Sequence, residues 1–244
     1  LIQIIAGLAL LFYGGNFLVT ASVRLARYLK ISPFIVGATI IAFGTSAPEL
    51  AVAILAALDG TSELAMGNVI GSNIANIGLV LGLTSLICTM SIAPDRLKRE
   101  SPPLLLATFL ILLIGWDLQV NRYAGIFMVC LLVVYVWRSF SHKEDFSGEP
   151  EEECRLFAGK GPTLQTFLIT LGLILLVGGA KLLVEGGVGI AHNFGISEWF
   201  TGITIVAIGT SLPEIVSSLI AAKRGHGEMA IGNIFGSNIF NILM

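Results

Sequence analysis

Gly44-Thr45-Ser46-Ala47-Pro48-Glu49 recurs as Gly209-Thr210-Ser211-Leu212-Pro213-Glu214, and Gly67-Asn68-x-x-Gly71-Ser72-Asn73-Ile74-x-Asn76 recurs as Gly232-Asn233-x-x-Gly236-Ser237-Asn238-Ile239-x-Asn241. A single shift of 165 residues carries 31–77 onto 196–242 without a gap, and 24 of the 47 pairs are identical. Chance does not produce that agreement. The chain contains a duplicated unit, and the fold must place two copies of it.

The surrounding composition says in which solvent. Of 244 residues, 55% are hydrophobic and 12% charged, about half the ~25% charge of soluble chains. Mean hydropathy is +0.88. An ordinary water-soluble globule is excluded. Charges are clumped, leaving 1–23, 31–48, 64–94, 101–116, 123–137, 161–180, 199–213 and 229–244 uncharged; several of these reach the ~17–25 residues that cross a bilayer. Long apolar runs rather than ~10-residue alternating ones point to helices, whose backbones are satisfied internally in lipid. The 28 glycines suit close packing of membrane helices.

Cutting at the charges predicts eight spans, near 1–23, 33–58, 64–90, 101–116, 122–138, 163–183, 198–222 and 229–244. The first has no charged n-region and reads as a span, not a signal peptide. Residues 139–162, with Glu149 and Glu151–Glu153, read as a solvated connector. Twelve Lys/Arg fall on one side of this arrangement, from Arg24 to Arg224, with Arg122 alone on the other and Lys181 near a span end. The positive-inside rule makes the first side cytoplasmic and the amino terminus extracellular. Each repeat holds an odd number of spans, so the second copy enters from the opposite face, as an inverted-topology repeat. The expected architecture is therefore an all-α integral membrane protein of the cell membrane: a first repeat over 1–140, a cytoplasmic linker over 141–162, and a second repeat over 163–244. A second copy matching the first would finish near residue 305, about 61 residues past Met244, so the sequence is expected to stop in the eighth helix.

Glu49 and Glu214 fall near the middle of their spans, where an acid costs roughly 2.5–3.5 kcal/mol on insertion scales and marks a functional site. Ser46-x-x-Glu49 and Ser211-x-x-Glu214 also fit a helix-capping box. With Pro48 and Pro213 in early helical positions, each span is expected to break there into two half-helices. Capping alone does not explain why the break occurs twice at bilayer depth, each followed about 20 residues later by a Gly- and Asn-rich segment. Inverted geometry lets the breaks meet, gathering Glu49 and Glu214 with hydroxyls of Thr45, Ser46, Ser72, Thr210, Ser211 and Ser237. It also brings in the amides of Asn73, Asn76, Asn238 and Asn241 and freed carbonyls near Ala42 and Ala207. An all-oxygen set without sulfur or histidine selects hard cations, and Ca²⁺ accepts 6–8 flexible oxygens where Mg²⁺ resists dehydration. Two negative charges match one Ca²⁺ or about two Na⁺, so the loads compete. Gly67/Gly71 and Gly232/Gly236 have the GxxxG spacing of close helix contacts.

Elsewhere the reading is bland. Lys181 and Glu185 form an i,i+4 surface pair. His142, His192 and His226 sit in or beside loops. Tyr13, Trp116, Tyr123, Trp137 and Trp199 fall at span ends, as interface anchors do. Cys88, Cys130 and Cys154 have neither disulfide nor zinc-ligand spacing. No nucleophile–base pair, phosphate loop or cofactor motif indicates an enzyme, and nothing points to nucleic acid or an obligatory protein partner.

The paired Glu-centred motifs resemble the alpha-repeats of the cation/calcium exchanger family, in its prokaryotic sodium/calcium-exchanger form. That resemblance implies ten transmembrane helices and exchange of Ca²⁺ against several Na⁺ by alternating access, with the first and sixth helices sliding as a gating pair. It implies that Glu49 and Glu214 are shared by Ca²⁺ and Na⁺, with no cofactor. It places Thr45, Ser46, Ser72, Thr210, Ser211 and Ser237, with the carbonyls of Ala42 and Ala207, in flanking sodium sites, and Asn76 and Asn241 between them. One of these two amides can be aspartate in the family; here both are neutral, which bears on the ions or protons moved per cycle. Ca²⁺/H⁺ exchange, K⁺-dependent exchange and, in a different class, sodium-coupled symport of an organic anion are the alternatives. Symport of an anion would call for positive charge in the core, where this sequence has two acids.

Overall fold

The computed structural model describes residues 2–115, 120–141, 161–195, 197 and 207–244. Most of the 141–162 linker, Trp116, His142, Cys154, Trp199 and the side chain of Ala207 lie outside the described residues. Within them every regular element is helical. Helix α1 spans Ile2–Leu29, α2 Pro33–Thr45 and α3 Ala47–Leu58; α4 is Ser62–Ile87, α5 Pro94–Ile114 and α6 Arg122–Ser141. The second copy contributes α7 (Pro162–Asn193), α8 (Ala207–Thr210), α9 (Leu212–Lys223) and α10 (Gly227–Leu243). By length and apolarity α1, α4, α6 and α7 can each cross a bilayer, and α2 with α3 forms a further span bent by 44° at Ser46.

The broken span matches its expectation; some boundaries do not. Helix α5 begins at Pro94 rather than near 101. Proline in its first turn followed by Asp95 favours a start there, so the charged segment to Glu100 is helical. Helices α1 and α7 likewise run past their apolar stretches, since a helix need not stop where hydrocarbon does. Two π-helical turns, Gly37–Ile41 in α2 and Asn76–Leu81 in α4, leave no trace in residue periodicity.

Helices α1 and α7 pack antiparallel with backbones nearly touching. A Cβ built on Gly7 would lie 2.8 Å from the Gly179 carbonyl oxygen, and one on Gly14 would lie 2.9 Å from that of Gly172. At the 165-residue offset Gly7 corresponds to Gly172 and Gly14 to Gly179. Each glycine therefore meets the counterpart of its partner, the reciprocal contact a two-fold relation demands. The inverted repeat is thus visible outside the motifs that revealed it.

Helix α10 is the buried core of the other half. Gly232 and Gly236 lie against the Phe34 and Ala38 carbonyls, each 2.3 Å from an added Cβ, and Phe43 meets Phe240 edge-on at 5.5 Å. The GxxxG expectation holds here. It does not hold for Gly67 and Gly71, around which an added Cβ meets nothing within 4 Å among the described residues. Large apolar side chains such as Leu8, Phe12, Phe109, Leu112, Phe127 and Val133 are exposed, the outward face that lipid solvates.

Arg96 pairs with Glu228 at 2.5 Å and lies 5.8 Å from the Phe34 ring, while Arg138 donates to the Arg99 carbonyl. Lys181 and Glu185 are 3.9 Å apart and well exposed, a surface pair. Tyr13, Tyr123 and Trp137 are exposed too.

Candidate cation-binding site

Both glutamates are buried, Glu49 at 3% and Glu214 at 1% exposure, in the first turns of α3 and α9. A proline beside each occupies an early helical position and offers no N–H to the carbonyl four residues earlier, Gly44 or Gly209. The copies meet directly: the Ser46 hydroxyl donates to Glu214 Oε1 at 3.4 Å. The two carboxylates are themselves within Coulombic reach.

This geometry corrects two expectations. Neither Ser46 nor Ser211 caps its half-helix with its side chain; the Ser46 hydroxyl proton goes to the other copy instead. The Ala42 carbonyl is only partly released by the break: it accepts the Ser46 N–H at 2.9 Å, with the Thr45 hydroxyl 3.4 Å away, and keeps a lone pair for a cation. In the second copy the Ser211 N–H turns to Ile208 instead, at 3.2 Å, so the two breaks are not identical.

Thr45, Ser46, Ser211, Ser72, Ser237, Asn76 and Asn241 are all buried; Thr210 is half-buried. Asn76 opens the π-turn of α4, whereas Asn241 lies in the regular last turns of α10. Asn73 donates across the copies to the Asn238 carbonyl at 3.3 Å. Glu49 Oε2, Glu214 Oε2, the Ser237 hydroxyl and both polar atoms of the Asn241 amide are buried with no hydrogen-bond partner among the described residues. Each such group costs roughly 1–3 kcal/mol, and most are oxygens, the atom type hard cations take.

Four residues outside the expected set hold this cluster. Asn68 donates to the Glu49 carbonyl at 2.9 Å. Asn233 donates to Ser217 and Ser218 at 3.1 and 3.0 Å and accepts from Thr45 at 3.4 Å. Asn68 and Asn233 are an identical pair in the repeat, a signal that was available. Ser217 and Ser218 replace Val52 and Ala53 of the first copy, so repetition could not find them.

The sodium/calcium exchanger protein family model matches residues 1–141 and 164–244. The chain belongs to that family. This exchanger is 42% identical to the putative antiporter CaxA of Alkalimonas amylolytica, over 99% of this chain and 77% of that protein. It is 31% identical to the sodium/calcium exchanger MaX1 of Methanosarcina acetivorans, over 99% and 79%. The solved sodium/calcium exchanger of Methanococcus jannaschii superposes with a TM-score of 0.85 at 36% identity, over 99% of this exchanger and 77% of that chain. Family and fold together make the exchanger a multi-pass membrane cation/Ca²⁺ antiporter, in a family of transporters and not of enzymes.

Proposed function

We propose that the protein exchanges Ca²⁺ for Na⁺ across the cell membrane by alternating access. The observation that carries this reading is the hydrogen bond from Ser46 to Glu214 across the copies, which supports pooling of the two buried carboxylates with hydroxyls and amides of both repeats in one oxygen-rich cluster. Glu49 and Glu214 are the shared ligands; Thr45, Ser46, Ser72, Thr210, Ser211 and Ser237, with the carbonyls of Ala42 and Ala207, take the flanking sodium ions, and Asn76 and Asn241 lie between them. Because two negative charges are balanced by one Ca²⁺ or about two Na⁺, each load displaces the other from a site too costly to leave charged and dry. The solved relative was soaked with Na⁺ and Ca²⁺ in a study of extracellular ion exchange and binding-site occlusion, which supports the same pair of ions here.

In the membrane, the amino terminus is extracellular, the repeats over 1–140 and 163–244 are inverted, and the linker over 141–162 is cytoplasmic. The twelve-to-one distribution of basic residues supports this orientation. The test is Ca²⁺ uptake by proteoliposomes under separately imposed Na⁺, K⁺ and H⁺ gradients. Uptake that follows the Na⁺ gradient alone is expected. Uptake that follows pH without Na⁺ makes the protein a Ca²⁺/H⁺ antiporter, and an absolute need for K⁺ makes it a K⁺-dependent exchanger; either result overturns the proposal.

A further inference from the structure

We infer that Asn68 and Asn233 are positioning residues that anchor the two glutamates, and that Asn233 additionally couples the half-sites by bridging the copies. The inference rests on the cation-exchange reading of the cluster. Each asparagine serves the main-chain carbonyl of the glutamate in its own copy, by different routes. Asn68 donates to the Glu49 carbonyl directly, at 2.9 Å. Asn233 donates to Ser217, whose hydroxyl donates in turn to the Glu214 carbonyl at 3.2 Å. The relay exists only in the second copy, because Val52 and Ala53 stand where Ser217 and Ser218 do.

The relay has a consequence for the first copy. With both amide hydrogens committed to Ser217 and Ser218, the Asn233 oxygen accepts from Thr45 across 188 positions of sequence. Asn233 and Thr45 are both fully buried, where such bonds are strong and a missing partner is expensive. A shift of Thr45 on ion binding is thereby transmitted to the turn carrying Glu214. Asn68 is half-buried and makes no side-chain bond of this kind to the second copy among the described residues; its carbonyl accepts from Ser72 within its own copy.

Equilibrium Ca²⁺ binding to purified protein, with and without competing Na⁺, tests this. Losing one to three buried bonds of about 1 kcal/mol each, Asn68→Ala should weaken Ca²⁺ about fivefold and Asn233→Ala at least about tenfold. Only Asn233→Ala should also lower the Hill coefficient of Na⁺ competition. Ser217→Ala with Ser218→Ala should weaken Ca²⁺ but keep the Hill coefficient, since the Thr45 bond remains, and Ser217→Thr should recover the affinity lost in Ser217→Ala. If Asn233→Ala does not fold, the serine double variant and its threonine rescue carry the test. Equal effects at Asn68 and Asn233, or wild-type curves per folded molecule in both, overturn the inference. Na⁺ that fails to displace Ca²⁺ from the wild type overturns the exchange reading instead, and the Ca²⁺ curves still report on the anchors.

Discussion

Ser46 of the first copy donates its hydroxyl to Glu214 of the second, 168 positions away, at 3.4 Å. A serine that sequence pattern assigns to capping its own helix instead solvates the other copy's carboxylate. The glutamates are therefore not two separate buried acids: they share one cluster in which each copy supplies polar groups to the other. Bare of cations, such a cluster holds two desolvated carboxylates close together, which is strongly unfavourable.

Glu49→Gln and Glu214→Gln should each reduce Ca²⁺ flux by about a hundredfold or more, since removing one partner of a buried charge interaction costs about 3–5 kcal/mol. The same variants should be more stable than the wild type in cation-free buffer, by about 1–2 kcal/mol, because a neutral amide is cheaper to bury. Flux assays and chemical denaturation on the same preparations check both halves. Flux that survives either substitution would remove the carboxylate pair from the transport cycle.

Cations that bind only the folded cluster must raise its stability. At a hundred times its dissociation constant, Ca²⁺ should add about 2.7 kcal/mol, read as a rise in unfolding temperature that excess Na⁺ does not add to. Mg²⁺, which sheds water reluctantly and demands octahedral geometry, should give a much smaller rise. A Mg²⁺ effect equal to that of Ca²⁺ would contradict an adaptable oxygen cage.

The duplicated motifs and the clumped charges make the class, the inverted copies and the broken span legible in the sequence. Both signals are one-dimensional: identity at a fixed offset, and apolar length. What they could not give is where a hydroxyl points. The capping box at Ser46 is a local pattern, and its partner lies in the other copy; Ser217 and Ser218 escape because their counterparts are Val52 and Ala53. The Gly67/Gly71 and Gly232/Gly236 spacings are identical, yet only the second pair is tightly packed among the described residues. Spacing states that close approach is permitted, not that a neighbour has come.

The proposed sidedness rests on the basic residues and can be read by labelling. With Cys88, Cys130 and Cys154 replaced by Ser, a single Cys at Asn121 should react with a membrane-impermeant maleimide from outside the cell. A single Cys at Lys98 should react only after permeabilisation. The reverse pattern would invert the orientation assigned here while leaving the two-fold relation between the copies intact.

The contact between α1 and α7 offers a comparison between adjacent residues. Gly178 and Gly179 are sequence neighbours on one helix, but an added Cβ at Gly178 meets nothing within 4 Å among the described residues, while one at Gly179 lies 2.8 Å from the Gly7 carbonyl oxygen and the Leu11 nitrogen. The obstacle is backbone, which cannot rotate away, so α1 must be pushed off. Gly179→Ala should therefore destabilise the protein by about 1–3 kcal/mol, the usual cost of overpacking, and Gly172→Ala, against the Gly14 carbonyl oxygen at 2.8 Å, should do the same. Gly178→Ala should be neutral or slightly stabilising, because alanine is the better helix former by about 1 kcal/mol. Unfolding of the three variants in the same detergent measures the differences. A Gly179→Ala protein as stable as Gly178→Ala would mean that the helices do not approach this closely.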